Sequence, residues 1–221
     1  MGLAVAERLA RKGAIVHSFD LQNPLRSVEG IISHNVDVRY AEQISQGMSE
    51  ITGKLQLLFN NAGVLVRGGL FDISPDQFRK MLEVNALGSW QTLKTALEQD
   101  KLEDGATILQ MCSTVGGPTG RSMSAPKVRP YSLSKRLVNE FIEALRFDRS
   151  DLRVKAVYPG AVKTPMTMAG FVSEAEYDKQ AIANWGVVST ADDIADKIMT
   201  LLESDANNLY WDNDRKEYVF E

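Results

Sequence analysis

Cysteine is almost missing from this chain. Cys112 is the only one in 221 residues, so no internal disulfide can form and a reducing compartment, the cytoplasm, is expected. Histidine is scarce too. His17 and His34 stand apart in sequence from any cysteine or paired carboxylate, which leaves no metal-ligand spacing and reads each as a structural side chain. No stretch comes near the roughly 20 consecutive apolar residues of a membrane span. Neither sign of charge dominates: 25 basic against 29 acidic residues give a net charge of -4, which excludes a basic nucleic-acid-binding face and a strongly cationic membrane-surface protein. Repeats, low-complexity segments and linkers are also lacking, so residues 1–221 are expected to form a single domain.

What is present is an alternation of helical and strand patterns. Leu3, Ala6, Leu9 and Ala10 make one helical stripe, with Arg8, Arg11 and Lys12 toward the negative end of the helix dipole and Gly13 at the cap. Glu7 and the direct continuation into a strand argue against a targeting segment. Short β runs are expected at Ala14–Phe19, Ile31–Val36, Leu55–Phe59, Ala106–Cys112 and Leu152–Tyr158. Helices are expected at Tyr40–Thr52, from Pro75 (with Ser74 as N-cap) to Leu97, at Tyr131–Phe147 and at Ala191–Leu202. The tail, Leu209–Phe220, reads as two short strands around Asp212-Asn213-Asp214. Unbroken apolar strands alternating with helices predict a doubly wound α/β fold, a parallel sheet covered on both faces.

In such sheets ligands sit beyond the carboxyl ends of the strands. The polar and turn-forming residues at those ends are Asp20, Asp37, Asn60 to Gly63, Ser113 and Pro159-Gly160. Their order resembles the short-chain dehydrogenase/reductases, single-domain branch. Asn60-Asn61-Ala62-Gly63 is similar to that family's NNAG turn, Asn85 to its mid-helix Asn, and Ser113 to its serine. Tyr131-Ser132-Leu133-Ser134-Lys135 is similar to YxxxK, and Pro159-Gly160 with Thr164 to its PGxxxT loop.

The resemblance implies a Rossmann-like fold and an NAD(P)-dependent oxidoreductase that interconverts a secondary alcohol and a ketone. Tyr131 would move the proton, Lys135 hold the cofactor ribose and tune Tyr131, Ser113 bind the substrate oxygen, and Asn85 anchor a water while breaking the helix ladder locally. Cofactor contacts would come from Gly2, Asp20, Asp37, Val38, Asn61, Ala62, Gly63, Tyr131, Lys135, Pro159, Gly160, Val162 and Thr164, with no metal. Tyr and Lys four apart share a helix face, and a nearby ammonium is expected to lower a phenol from its ordinary value near 10. An acidic Asp20 at its strand end, with Arg26 the nearest following arginine, favours NAD over NADP. Plainer readings stand beside these: a tight turn at 60–63 or at Asp20, an N-cap at Thr164, Thr114 in place of Ser113, a solvated face for Tyr131 and Lys135.

Two departures from the family pattern matter. Ser113 and Tyr131 are 18 positions apart, and the loop Pro118–Val128, with Arg121, Lys127 and Arg129, holds the extra residues. Of the family's TGxxxGxG turn only Gly2 is matched. The first strand is missing, and with it the partner expected between the strands at 14–19 and 55–59. Met166 to Trp185 is expected as a lid whose apolar residues, Tyr177 among them, fit a small hydrophobic or aromatic alcohol or ketone, or equally serve as core or subunit contacts. The helices at 75–97 and 131–147 resemble the family's homodimer- or homotetramer-forming pair. The rival readings are a catalytically silent binding or regulatory protein on the same scaffold, and a sugar-nucleotide epimerase or dehydratase.

Overall fold

The computed structural model describes residues 1–22, 27–117 and 127–221. It opens with helix α1 (Gly2–Arg11), strands β1 (Val16–Asp20) and β2 (Ile31–Asn35), helix α2 (Ala41–Ser49) and strand β3 (Leu55–Asn60). Helix α3 (Pro75–Leu82), a π-helical turn (Glu83–Leu87) and helix α4 (Gly88–Glu98) then run end to end, followed by β4 (Leu102–Met111), α5 (Arg129–Asp148) and β5 (Arg153–Tyr158). The last part comprises β6 (Val162–Lys163), α6 (Pro165–Met168), α7 (Glu174–Trp185), β7 (Ser189–Thr190), α8 (Ala191–Glu203), β8 (Asn208–Asp212) and β9 (Glu217–Phe220).

The expected elements are all found, with ends shifted by a few residues. Two short parallel strands, β6 and β7, and helices α6 and α7 within the lid segment were not legible in the sequence pattern. At α3, Ser74 and Gln77 form a reciprocal capping box that satisfies two otherwise unpaired backbone donors. Gly13 adopts a left-handed φ of 91° just beyond α1, a conformation without steric cost only for glycine.

The unbroken apolar character of the strands has a direct structural reason. Along β4, Ile108 faces one core with Met48, Leu93 and Ile142, while the next residue, Leu109, faces a second core with Val5, Ile194, Ile198 and Leu209. β5 alternates in the same way, Val154 and Ala156 to the first core and Val157 to the second. Helices therefore cover both faces: α2, α4 and α5 one, α1 and α8 the other. Arg8 fastens α1 to α8 through Asp192 at 2.9 Å and Asp196 at 2.6 Å.

The sheet is divided. β3-β4-β5-β8-β9 forms a five-stranded sheet, parallel except for β9, and β1-β2 forms a separate parallel pair. Among the described residues no strand lies between β1 and β3, as the missing first strand predicts. Val16 and Ser18 of β1 and Leu55, Leu57 and Phe59 of β3 instead line a common cavity of about 1990 Å³.

Parallel pairing also joins two side chains that are distant in sequence. His17 on β1 and His34 on β2 lie on the same face, with Nδ1 of His17 2.9 Å from Nε2 of His34, and Nδ1 of His34 is 3.0 Å from Glu50 Oε2. The two histidines are structural, as expected, but they are not isolated: they form a chain ending on a carboxylate. Burial and the neighbouring His34 and Lys101 hold His17 below its ordinary 6.5. The unfolded chain therefore takes up the proton first as pH falls. Stability is complete above about pH 6.5 and is lost as pH drops below it. Thermal melting should fall between about pH 7 and pH 5.5, and His17→Gln should remove most of that slope. An unchanged slope in the variant would place the acid sensitivity elsewhere.

Candidate active site

Helix α5 begins Arg129-Pro130, where a proline costs no hydrogen bond because first-turn N–H groups have no intrahelical partner. It carries Tyr131 and, one turn on, Lys135. Tyr131 is 9% exposed and packs in a cluster with Met81, Val115, Val64, Leu65 and Trp185. Its hydroxyl is hydrogen-bonded to the Ser113 side chain, which lies just beyond the end of β4. Lys135 is buried, and its Nζ donates to the Met111 carbonyl at 2.8 Å. The turn after Ser113 lies so close to α5 that a Cβ on Gly116 would come 2.5 Å from the Lys135 Cβ and 2.7 Å from its carbonyl carbon, so only glycine fits there.

The titration of this pair corrects the expectation from spacing. Burial pushes the Tyr131 phenol up to about 12, with the Ser113 hydrogen bond acting in the opposite direction. Burial likewise brings the Lys135 ammonium down to about 8. Lys135 is not among the groups that act on the phenol here: its ammonium donates to a backbone carbonyl, and loss of solvent outweighs the opposing hydrogen bond from Ser113. Thr114 is excluded as the substitute for Ser113, because its hydroxyl donates to Pro159 O at 2.8 Å.

Asn85 sits in the π-helical turn, fully buried, at the expected break in the helix ladder. Its Oδ1 accepts from Val64 N at 2.7 Å, and its Nδ2 donates to Val64 O at 3.0 Å and to Ser134 Oγ at 2.8 Å. The side chain thus ties the turn after β3 to α5. Both amide hydrogens are used, and one lone pair on Oδ1 is left for a water.

The sequence profile of short chain dehydrogenases matches residues 1–174. The chain belongs to the short chain dehydrogenase family. It is 34% identical to an uncharacterized oxidoreductase of Thermotoga maritima over 131 residues, 58% of this chain and 50% of that one. It is 29% identical to versicolorin reductase 1 of Dothistroma septosporum over 184 residues, 76% of this chain and 68% of the other. The match thus spans half the length of the first relative and about two thirds of the second. A short chain dehydrogenase from Francisella tularensis superposes with a TM-score of 0.80 at 26% identity, covering 92% of this chain and 86% of that structure.

Every family position assigned from the sequence except Asn85 lines the same cavity, including Gly2, Val38, Asn61, Ala62, Gly63 and Val162. Several have local commitments that the family pattern does not show. Asp20 is exposed at the end of β1, and its Oδ1 accepts from Gln22 N at 3.0 Å, so it also closes a turn. Asp37 is buried, and both its carboxylate oxygens are taken by the Arg39 guanidinium, which holds it below the usual carboxylate range. Asp37 therefore lines the cavity with an internal partner already in place. Val38 packs on Gly88 at the start of α4, and Gly2 lies against the Asn61 amide. Thr164 is the N-cap of α6, in a reciprocal box with Thr167. Arg26, Pro118 and Arg121 lie outside the described residues.

Three features of the site come from residues outside the family motifs. Pro159-Gly160 is held from outside: a Cβ on Gly160 would come 2.8 Å from the Trp211 ring, and Gly160 N donates to Tyr218 Oη at 3.3 Å. Tyr177, expected in the lid, is core, 5% exposed and donating to Val162 O at 3.0 Å. Arg67, in the loop after Gly63, reaches across to the lid.

Proposed function

We propose that this chain is an NAD(P)-dependent oxidoreductase acting between a ketone and a secondary alcohol. The observation that carries the reading is the Tyr131 hydroxyl, hydrogen-bonded to Ser113, in a cavity that Lys135 also lines and at the carboxyl end of the sheet. The surrounding residues suit a nicotinamide cofactor: Asp20 for the ribose hydroxyls, the turn 61–63 and Lys135 near the strand ends, and Val162 beyond Gly160. Bound there, the nicotinamide would supply or accept the hydride at the substrate carbon. Asp20 as an exposed carboxylate favours NAD over a 2′-phosphorylated cofactor.

The protein's own part is proton transfer and orientation. Ser113 donates to or accepts from the substrate oxygen and holds it against the Tyr131 hydroxyl. Tyr131 stays protonated at neutral pH, so it is poised to give its proton to a carbonyl oxygen as a C–H bond forms on the carbonyl carbon. Lys135 fixes the geometry beneath Tyr131 and presents a cation to the cofactor. Asn85 keeps the turn and α5 in register. Exposed Trp90, Leu133 and Leu137 on α4 and α5 are the apolar surface through which the chain forms a homo-oligomer.

NADH titration followed by its fluorescence tests the cofactor half of the reading. Saturation with a dissociation constant in the range of about 1 µM to 1 mM, where cofactor and substrate sites usually work, is expected. No saturation at several millimolar would favour the silent scaffold instead.

A further inference from the structure

Among the described residues, Arg67 is the cation that reaches from the loop after β3 to the lid. Its Nε donates to Ala169 O at 3.0 Å and its Nη2 to Thr167 O at 2.6 Å, and the guanidinium lies 4.6 Å from the Phe171 ring centroid. Among the described residues it pairs with no carboxylate, and Nη1 has no hydrogen-bond partner. A half-buried guanidinium held by two carbonyl dipoles and one ring face, with no carboxylate, is an expensive arrangement unless something else completes it. The wall it faces is uncharged: from Pro159 to Trp185, no residue lining the cavity carries a charge.

The loop position points the same way. Gly68 N donates to Lys127 O at 2.7 Å, and Gly68 bridges Val128, so Arg67 stands beside the chain that leads directly into Tyr131. A lid wall without charges, beside a cation that pairs with no carboxylate among the described residues, is complementary to a molecule that is mostly apolar and bears one negative group.

We propose that Arg67 determines specificity by pairing with an anionic group, a carboxylate, on an otherwise apolar ketone or alcohol. The inference rests on the oxidoreductase reading for the word substrate, but not for the binding itself. The guanidinium fork gives the carboxylate a directed, charge-assisted contact, while its bonds to Thr167 and Ala169 hold the lid over the bound molecule.

The test is a titration without cofactor, read by calorimetry, of 4-acetylbenzoate against its neutral isostere 4-acetylbenzamide. Wild-type protein should bind the carboxylate at least about tenfold more tightly. Arg67→Gln should bring the ratio to about one. Arg67→Lys, which keeps the charge and loses the fork, should keep a ratio of about three. Because the ratio is the readout, a general loosening of the lid in a variant cancels out. Equal affinities in wild type, a ratio that survives Arg67→Gln, or no saturation by the carboxylate at about 10 mM would overturn the assignment. Failure of NADH binding or turnover would leave this result standing, so the two readings fail separately.

Discussion

Replacing Tyr131 by Phe should lower kcat by about a thousandfold, within the span expected when a general acid is removed, while the NADH dissociation constant changes less than twofold. The expectation is sharp because the ring and the hydroxyl do different things. The ring is buried against Met81, Val115 and Leu65, and phenylalanine preserves that packing. The hydroxyl meets Ser113, and its loss removes one neutral hydrogen bond, a cost of about 1 kcal/mol in stability. The folded population should therefore be nearly unchanged, and the loss confined to the proton-transfer step. A variant retaining more than about one tenth of wild-type turnover would show that another group donates the proton. Ser113→Ala serves as the companion: it should weaken turnover less and leave Tyr131 still harder to ionise.

The second large effect concerns stability. An extended apolar segment of about seven residues placed ahead of Met1, with a short glycine connection, should raise the melting temperature by 10 °C or more. The division of the sheet is the reason. The edges of β1 and β3 that face the common cavity have no strand partner. A strand inserted there would add about ten backbone hydrogen bonds at about 1 kcal/mol each. It would also bury about five apolar side chains at about 2 kcal/mol each. Fixing its backbone and side chains would cost about 2 kcal/mol per residue. The balance is on the order of 5 kcal/mol, and each kcal/mol moves melting by about 2–4 °C for a chain of this size. A segment of the same length rich in Asp and Pro should give no increase. Equal melting temperatures for the two extensions would show that the cavity between β1 and β3 is not a strand site.

How much of this was legible in the sequence follows the range of the interactions. Where a side chain's fate depends on residues within a turn or two, the pattern was sufficient: the Ser74 box, the Gly13 cap, the two faces of β4, and Tyr131 with Lys135 on one side of α5. Where it depends on desolvation, the pattern misled. Lys135 stands four residues from Tyr131, but burial, which no spacing shows, pushes the phenol up. Asp37 was assigned a ligand contact, although Arg39 two positions on competes for it locally. That pairing partner was visible in the sequence, and in the folded chain it holds both carboxylate oxygens. Contacts between distant segments left no signal at all. His17 meets His34 only because β1 and β2 pair in parallel, and Arg67 reaches Thr167 across 100 positions.

The hold of Trp211 and Tyr218 on Gly160 has a consequence for the order in which the protein is made. The turn that follows β5 is emitted from the ribosome well before the tail that braces it, some 58 residues earlier. Tyr131, Ser113 and Lys135 can all be in place while Pro159-Gly160 still lacks its aromatic support. The cavity wall at Pro159-Gly160 is thus completed only after residues 211 and 218 have been synthesised, later than Tyr131, Ser113 and Lys135.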